Sequence, residues 1–339
     1  MYGLDSLKKH ITITKDHVEC PVLGRTKVKI LPRKRTGDKL TLLDITCPEY
    51  NIAVRSSTFI YVKKNETTGK YIPDEEANLL WKDSGDLSLL SSINRVKRES
   101  RMANDNSEDA VSWNVFRYLD REEELLSDFV ELISGTRDEG KDIDLIYWSY
   151  SSKEKGQWKL LKDAQRIFGE KKNRGSEPDM AIETEKSIIF IEAKFNATNS
   201  TTPSNPEESL KKYTESADSW SKQVFSSTLE EIALHKKRYE LMRFWLLGSW
   251  MAKQRNKDFY LINLLKQSSR ENLDKTFKPH VKENREEQGK RVVLRLNWED
   301  IYTMLNSKNG LSERIDHYFK NKSSGISTNG KILKAFKIS

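Results

Sequence analysis

Two carboxylates and an ammonium are grouped in one short stretch of this chain. Pro178-Asp179 opens the run EPDMAIETEKSIIFIEAKF, and Glu192-Ala193-Lys194 closes it. The first half reads as a short strand, TEK as a turn near Glu185-Lys186, and SIIFIEAKF as a second strand. Residues two apart on a strand project to the same face. Phe190, Glu192 and Lys194 therefore share one face, and Ile189, Ile191 and Ala193 the other. The hairpin brings Asp179 close to Glu192, beside a strongly apolar strand. Bare like charges repel in such surroundings, so a divalent cation is their natural partner. Taken singly, Asp179 reads as a turn aspartate and Glu192 as a solvent-facing strand residue paired with a lysine. Charged side chains are seldom buried without a partner, and the three residues together favour a metal site.

The arrangement of Pro178-Asp179 followed by Glu192-x-Lys194 at the end of an apolar strand resembles the PD-(D/E)xK nuclease superfamily, the restriction-endonuclease-like fold. The resemblance covers about residues 96–320, with its sharp part at 177–195. It implies that Asp179 and Glu192 ligate Mg²⁺, with Mn²⁺ as a substitute, and that the backbone carbonyl of Ala193 also faces the ion. It implies that Lys194 orients the attacking water and stabilises the phosphorane; neighbouring anions keep that lysine protonated. The family often carries an acid at the start of its first core helix, which points to Glu108, with Asp109 and Glu177 as other candidates. Acids are common in first helical turns for dipole reasons alone. On the helix after ExK the family places a phosphate contact. Tyr239 and Arg243 lie four apart on one helical face there, and Arg243 is the candidate phosphate clamp. Gln223 lies too far from Tyr239 for the tight QxxxY spacing of some branches. His10, His17, His235, His280 and His317 are scattered without an HxH or HExxH pattern, which argues against a histidine-metal nuclease.

The elements around the hairpin are those needed to position it. Residues 108–133 have helical periodicity, with Val111, Val115, Phe116, Leu119, Leu126 and Phe129 near one side and Asp105, Asn106 or Ser107 as the cap. DIDLIYWSY at 142–150 reads as a buried strand and 157–168 as a short basic helix. Residues 196–206, rich in Asn, Ser, Thr and Pro, read as a mobile loop. Residues 207–254 read as interrupted helix, 259–266 and 291–296 as strands, and 298–306 and 311–319 as helices. The expected fold is α/β: a restriction-endonuclease-like core, a central mixed sheet flanked by helices in αβββαβ order. A β-rich accessory or recognition domain at 1–95 precedes it, with strands in HITIT, KVKIL, KLTLLDIT and STFIYVKK. Residues 85–106 read as a helical linker ending in the loop MANDNS, the nuclease-like domain spans 96–322, and 323–339 form a basic tail.

With 339 residues, the chain is long enough for a sizeable core and about two domains. Charged residues make up 32% and apolar residues 36%, and no run approaches a bilayer span. The N-terminus lacks a signal-peptide core, so the sequons at Asn196 and Asn199 read as chance matches. Cys20 and Cys47 are too few for a disulfide framework or an all-cysteine zinc site. A cytoplasmic protein is expected. The net charge of +8, from 59 basic against 51 acidic residues, is compatible with a polyanionic partner. The acid-free stretch 25–35 sets Lys27 and Lys29 on one strand face. With Arg33 and Arg35 they are candidate phosphate contacts, alongside basic residues in 153–174 and the tail. The resulting expectation is a Mg²⁺-dependent phosphodiesterase acting on nucleic acid, with DNA as default substrate and restriction or defence as its role. A homodimer or a partner subunit fits such an enzyme. The alternatives are a catalytically silent nucleic-acid-binding or scaffold protein of the same fold, and a repair or recombination nuclease. Inactive members usually lose an acid or the lysine, and all three residues are present here.

Overall fold

The computed structural model describes residues 7–14, 17–22, 27–29, 46–47, 49–55, 57–97, 101–137, 142–171, 175–286 and 289–338. Near the N-terminus, β1 (His17–Glu19) pairs antiparallel with β2 (Lys27–Lys29). β3 (Thr46–Cys47), β4 (Ile52–Val54), β5 (Phe59–Lys64) and β6 (Tyr71–Pro73) make a four-stranded antiparallel sheet. HITIT, expected as a strand, forms only isolated bridges, Ile13 with Val18 and His10 with Lys331. KLTLLDIT lies outside the described residues except at Thr46. The expected linker helix is α1 (Ser84–Asn94), started by a reciprocal cap between Asp83 and Asp86.

The single helical run expected at 108–133 is two helices, α2 (Glu108–Arg121) and α3 (Glu123–Ser134). Glu122 between them is extended, with φ −128° and ψ 96°. Both helices still pack into one apolar cluster, because Phe116, Leu119, Leu126 and Phe129 all point to the sheet. Of the three candidate caps, Ser107 accepts the N–H of Ala110. Next come β7 (Asp144–Tyr147), β8 (Tyr150–Ser151), β9 (Gly156–Gln157), α4 (Lys159–Ile167), β10 (Met180–Glu183) and β11 (Ser187–Ala193). A long crossover follows, with α5 (Pro206–Val224), a π-helical turn at Glu231–His235 and α6 (Tyr239–Arg255). β12 (Asp258–Leu265), β13 (Arg291–Asn297), α7 (Trp298–Ser307) and α8 (Glu313–Asn321) complete this part.

Seven of these strands form one mixed sheet in the order β13-β12-β11-β10-β7-β8-β9. β11, β12 and β13 run parallel, while β10 is antiparallel to both β11 and β7. Helices cover both faces, which explains why β11 carries four consecutive apolar residues, Ile188 to Ile191, and is buried along its whole length. Its side chains divide by parity. Ile189, Ile191 and Ala193 join a core with α2, α3, α7 and α8; Ile188 and Phe190 join a second core with α4, α5 and α6. The second core is closed by direct contact between α6 and β12. A Cβ on Gly248 would lie 2.2 Å from the ring of Phe259, so only glycine permits that approach.

The stretch expected as a basic tail is instead folded. β14 (Ser323–Ile326) and β15 (Ile332–Lys334) form a hairpin, Ile326 enters the N-terminal core, and Ala335 and Phe336 enter the main core. A buried ion pair explains the anchorage: Lys322 Nζ lies 3.0 Å from Asp105 Oδ1, which also accepts the Tyr61 hydroxyl at 3.2 Å. Ser323 donates to the second oxygen of Asp105. Apolar positions 326, 335 and 336, spaced among lysines, are the signal that a net basic composition obscures.

Candidate active site

The register of the β10–β11 hairpin sets Met180 opposite Ile191 and so carries Asp179 to the level of Glu192. Asp179 Oδ2 accepts the backbone N–H of Ala193 at 2.9 Å, and the Asp179 carbonyl accepts the N–H of Trp148 at 3.1 Å. Ala193 is fully buried, and Lys194 continues the parallel ladder by donating its N–H to Leu264 at 2.8 Å. Glu192 is 2% exposed, near the end of β11 in the interior of the sheet. The Lys194 ammonium touches Glu192, lies 3.5 Å from Glu108 Oε1, and lies 3.9 Å from Glu240 Oε2. Glu108 Oε2 accepts the N–H of Phe195 at 2.7 Å, which fastens the start of α2 to the end of β11. Asp179, Glu192, Lys194 and Glu108 are thus brought together.

Burial decides the electrostatics here. It pushes the Glu192 carboxyl well above the usual carboxylate range, and the charge of Asp179 pushes it further, against the pull of Lys194. Burial raises Asp179 as well, with Lys194 and Lys97 opposing. It lifts Glu108 to about 7, opposed by Lys194 and the Phe195 N–H and assisted by Asp179. For Lys194, burial favours the neutral amine, but Glu192, Asp179, Glu108 and Glu240 outweigh it and hold the ammonium above the ordinary lysine value. Lys194 is therefore held as a cation among these carboxylates.

A cleft of about 650 Å³ opens beside these groups, lined by Glu108, Asp179 and Glu240 together with Arg101, Asn104, Asn106 and Asn196. Glu240, Arg101 and the asparagines were missed by the sequence reading. Glu240 sits in the first turn of α6, where an acid needs no functional explanation. Arg101 and the two linker asparagines lie in a polar stretch with no period. Asp109 also reaches the cleft, but it pairs with Lys97 at 2.7 Å, and Lys97 stacks 3.6 Å from the centre of the Trp148 ring. The turn beneath them is unusual: Trp148 and Ser149 both take positive φ, 44° and 72°. Such conformations in non-glycine residues tend to occur where surrounding structure enforces them.

Arg243 does not face the cleft as a phosphate clamp. Its side chain is mostly buried, with Nε 3.3 Å from Glu170 Oε1, and its guanidinium lies over the Tyr239 ring. Glu170 also receives the hydroxyls of Ser176 at 2.6 Å and Tyr213 at 2.5 Å. A buried carboxylate needs a cation, and this requirement takes up Arg243. In the N-terminal region, Lys27 and Lys29 stand opposite Glu19 and His17 in the β1–β2 pair. Arg33 and Arg35 lie outside the described residues.

A mixed sheet between two helical layers, with buried carboxylates and a lysine at the end of its central strand, defines an α/β protein of nuclease-like build. The family model described as restriction endonuclease associating with ARP matches residues 59–322. The chain belongs to that restriction endonuclease family. No curated protein and no solved structure matches it. Among the described residues, no helix is long and apolar enough to cross a membrane.

Proposed function

We propose that this chain is a Mg²⁺-dependent DNA endonuclease of the PD-(D/E)xK kind, acting in restriction or defence in the cytoplasm. The observation that carries the reading is the meeting of Asp179, Glu192 and Lys194 at the end of β11, with Glu108 facing them from α2. The element order supports it: α2, β7, β10, β11, α6 and β12 follow αβββαβ when the remaining elements are taken as insertions. On this reading, residues 1–95 are the accessory or recognition unit, and 96–322, with the folded 323–338 segment, carry the catalytic unit.

The donor set fits a hard divalent cation. It consists of carboxylate oxygens, and Lys194 alone does not balance the charges of Asp179, Glu192 and Glu108. Among the described residues no three His, Cys, Asp or Glu side chains are gathered closely enough to cage an ion as they stand. The Lys194 ammonium is engaged by both Glu192 and Glu108. Asp179, Glu192 and the carbonyl of Ala193 would hold Mg²⁺ or Mn²⁺, with Glu108 in support. When bound, such an ion supplies Lewis acidity at the phosphate and makes water a better nucleophile.

The chain's own residues supply the rest. Lys194 keeps its proton at Nζ and offers positive charge to the phosphorane oxygens. The Ala193 N–H fixes one oxygen of Asp179, and the Phe195 N–H fixes one oxygen of Glu108, so both carboxylates are oriented before substrate arrives. Arg101, Asn104, Asn106 and Asn196 offer donors to a backbone passing through the cleft, and Lys27, Lys29, Arg33 and Arg35 extend the phosphate contacts. The family description names association with ARP, which favours a partner subunit over a homodimer. The experiment is incubation of purified protein with supercoiled DNA, single-stranded DNA and RNA in Mg²⁺ or Mn²⁺. Cleavage of DNA alone supports the full reading, cleavage of RNA alone changes the substrate, and binding without cleavage supports a silent scaffold.

A further inference from the structure

We propose that Glu240 is a positioning residue for Lys194: it receives the ammonium when Glu192 turns to a cation. The inference rests on the nuclease reading of the site. Glu192 cannot neutralise Lys194 and serve a divalent ion with the same oxygen. Glu192 is 2% exposed and its Oε1 accepts the ammonium, so a cation takes that oxygen only if Lys194 moves. A buried ammonium without a carboxylate is costly; besides Glu192, two carboxylates lie within 4 Å of Lys194 among the described residues, and Asp179, which also acts on it, is itself a proposed ligand of the cation. Glu108, at 3.5 Å, has one oxygen fixed by Phe195 and itself faces the cation as a supporting ligand. Glu240, at 3.9 Å, is the remaining acceptor.

The placement of Glu240 suits that task. Its carboxylate has Lys194 as its only ion-pair partner among the described residues, and the side chain is 33% exposed where it lines the cleft. Its backbone is anchored: the N–H of Glu240 donates to the Thr201 hydroxyl at 3.0 Å, and the N–H of Tyr239 donates to the Thr201 carbonyl at 3.2 Å. A movement of Lys194 from Glu192 to Glu240 carries the ammonium from the buried end of the strand towards the cleft, where substrate phosphate lies. The same carboxylate keeps the lysine protonated throughout.

The test compares Glu240→Gln, Glu240→Asp and Lys194→Ala with wild type. Mg²⁺ binding is read from the metal-dependent rise in melting temperature without nucleic acid, and cleavage is separated into kcat and KM. For Glu240→Gln we expect unchanged melting without metal, a Mg²⁺ midpoint raised about tenfold, and kcat lowered about tenfold to a hundredfold. KM for DNA should stay level or fall, because a negative charge leaves the cleft. Glu240→Asp should restore part of both the midpoint and kcat. If Glu240→Gln keeps the wild-type midpoint and kcat and changes KM alone, the residue is only a first-turn acid and the inference is overturned. Loss of cleavage in Lys194→Ala would leave the site reading standing in that case. If wild type shows no response to Mg²⁺ or Mn²⁺, the site reading falls, and the inference with it.

Discussion

Replacing Glu108 by Gln should stabilise the metal-free protein at neutral pH while weakening its response to metal. Burial raises the Glu108 carboxyl from an ordinary 4.5 to about 7. Between those values the folded chain binds the proton and the unfolded chain does not, so stability falls as pH rises through that window. The full penalty is present above about pH 7 and absent below about pH 4.5. At about 1.36 kcal/mol per pH unit it amounts to roughly 3 kcal/mol, and about 2 kcal/mol once the partly exposed edge of the side chain is allowed for. The amide keeps the oxygen that accepts the Phe195 N–H but carries no charge. Melting of the metal-free variant at pH 8 should therefore rise by about 4 °C, at about 2 °C per kcal/mol for a chain of this size. At pH 4.5 the two proteins should melt together. At a Mg²⁺ concentration about a hundred times the wild-type Kd, wild type gains about 2.7 kcal/mol and a variant that binds tenfold more weakly about 1.4 kcal/mol, so the gap should narrow to under about 1 kcal/mol. A variant that melts lower than wild type by the same amount at both pH values would show Glu108 to be a structural fastener between α2 and β11, and the reasoning would fail.

Two further outcomes follow from the same electrostatics. Burial works to raise Glu170, but Arg243 and the bonds from Ser176 and Tyr213 outweigh it and hold the carboxyl below its ordinary range. Its stabilising effect is thus present above about pH 4.5 and is lost as pH falls through the lowered value. Arg243→Ala should cost about 3–5 kcal/mol in denaturant melts at pH 7, because it strands a buried carboxylate. A stable Arg243→Ala variant with weakened DNA binding would return the guanidinium to a phosphate-contact role. Reversal of Lys27, Lys29, Arg33 and Arg35 to Glu should weaken DNA binding and lower the salt slope by about one unit per lost contact. Isotherms unchanged at several salt concentrations would place the DNA path elsewhere.

The hairpin was legible because three local signals agree on it: an apolar β-branched run, a short turn, and charged residues gathered at the turn and at the two ends. The same strand parity that separates Ile189 from Phe190 also orients Glu192 and Lys194. Glu122 illustrates what was not legible, since a one-residue break between α2 and α3 leaves the apolar period nearly intact. Arg243 was misread because its partner Glu170 is distant in sequence, and only the fold brings the two together. Lys322 and Asp105 repeat that lesson for the C-terminal hairpin. Glu240 lay beside Tyr239 in a helix start where acids are common, so spacing could not separate a site residue from a dipole-favoured one.

The central claim is that Asp179, Glu192 and Lys194 form one metal-dependent hydrolytic site. The direct measurement is cleavage of supercoiled and linear DNA by wild type, Asp179→Asn, Glu192→Gln and Lys194→Ala, in Mg²⁺ and in chelator, with DNA binding followed in parallel. The account predicts Mg²⁺-dependent cleavage by wild type, a loss of about a hundredfold or more in each variant, and binding retained by all of them. Wild-type cleavage that persists in chelator, or full cleavage by Glu192→Gln, would contradict it.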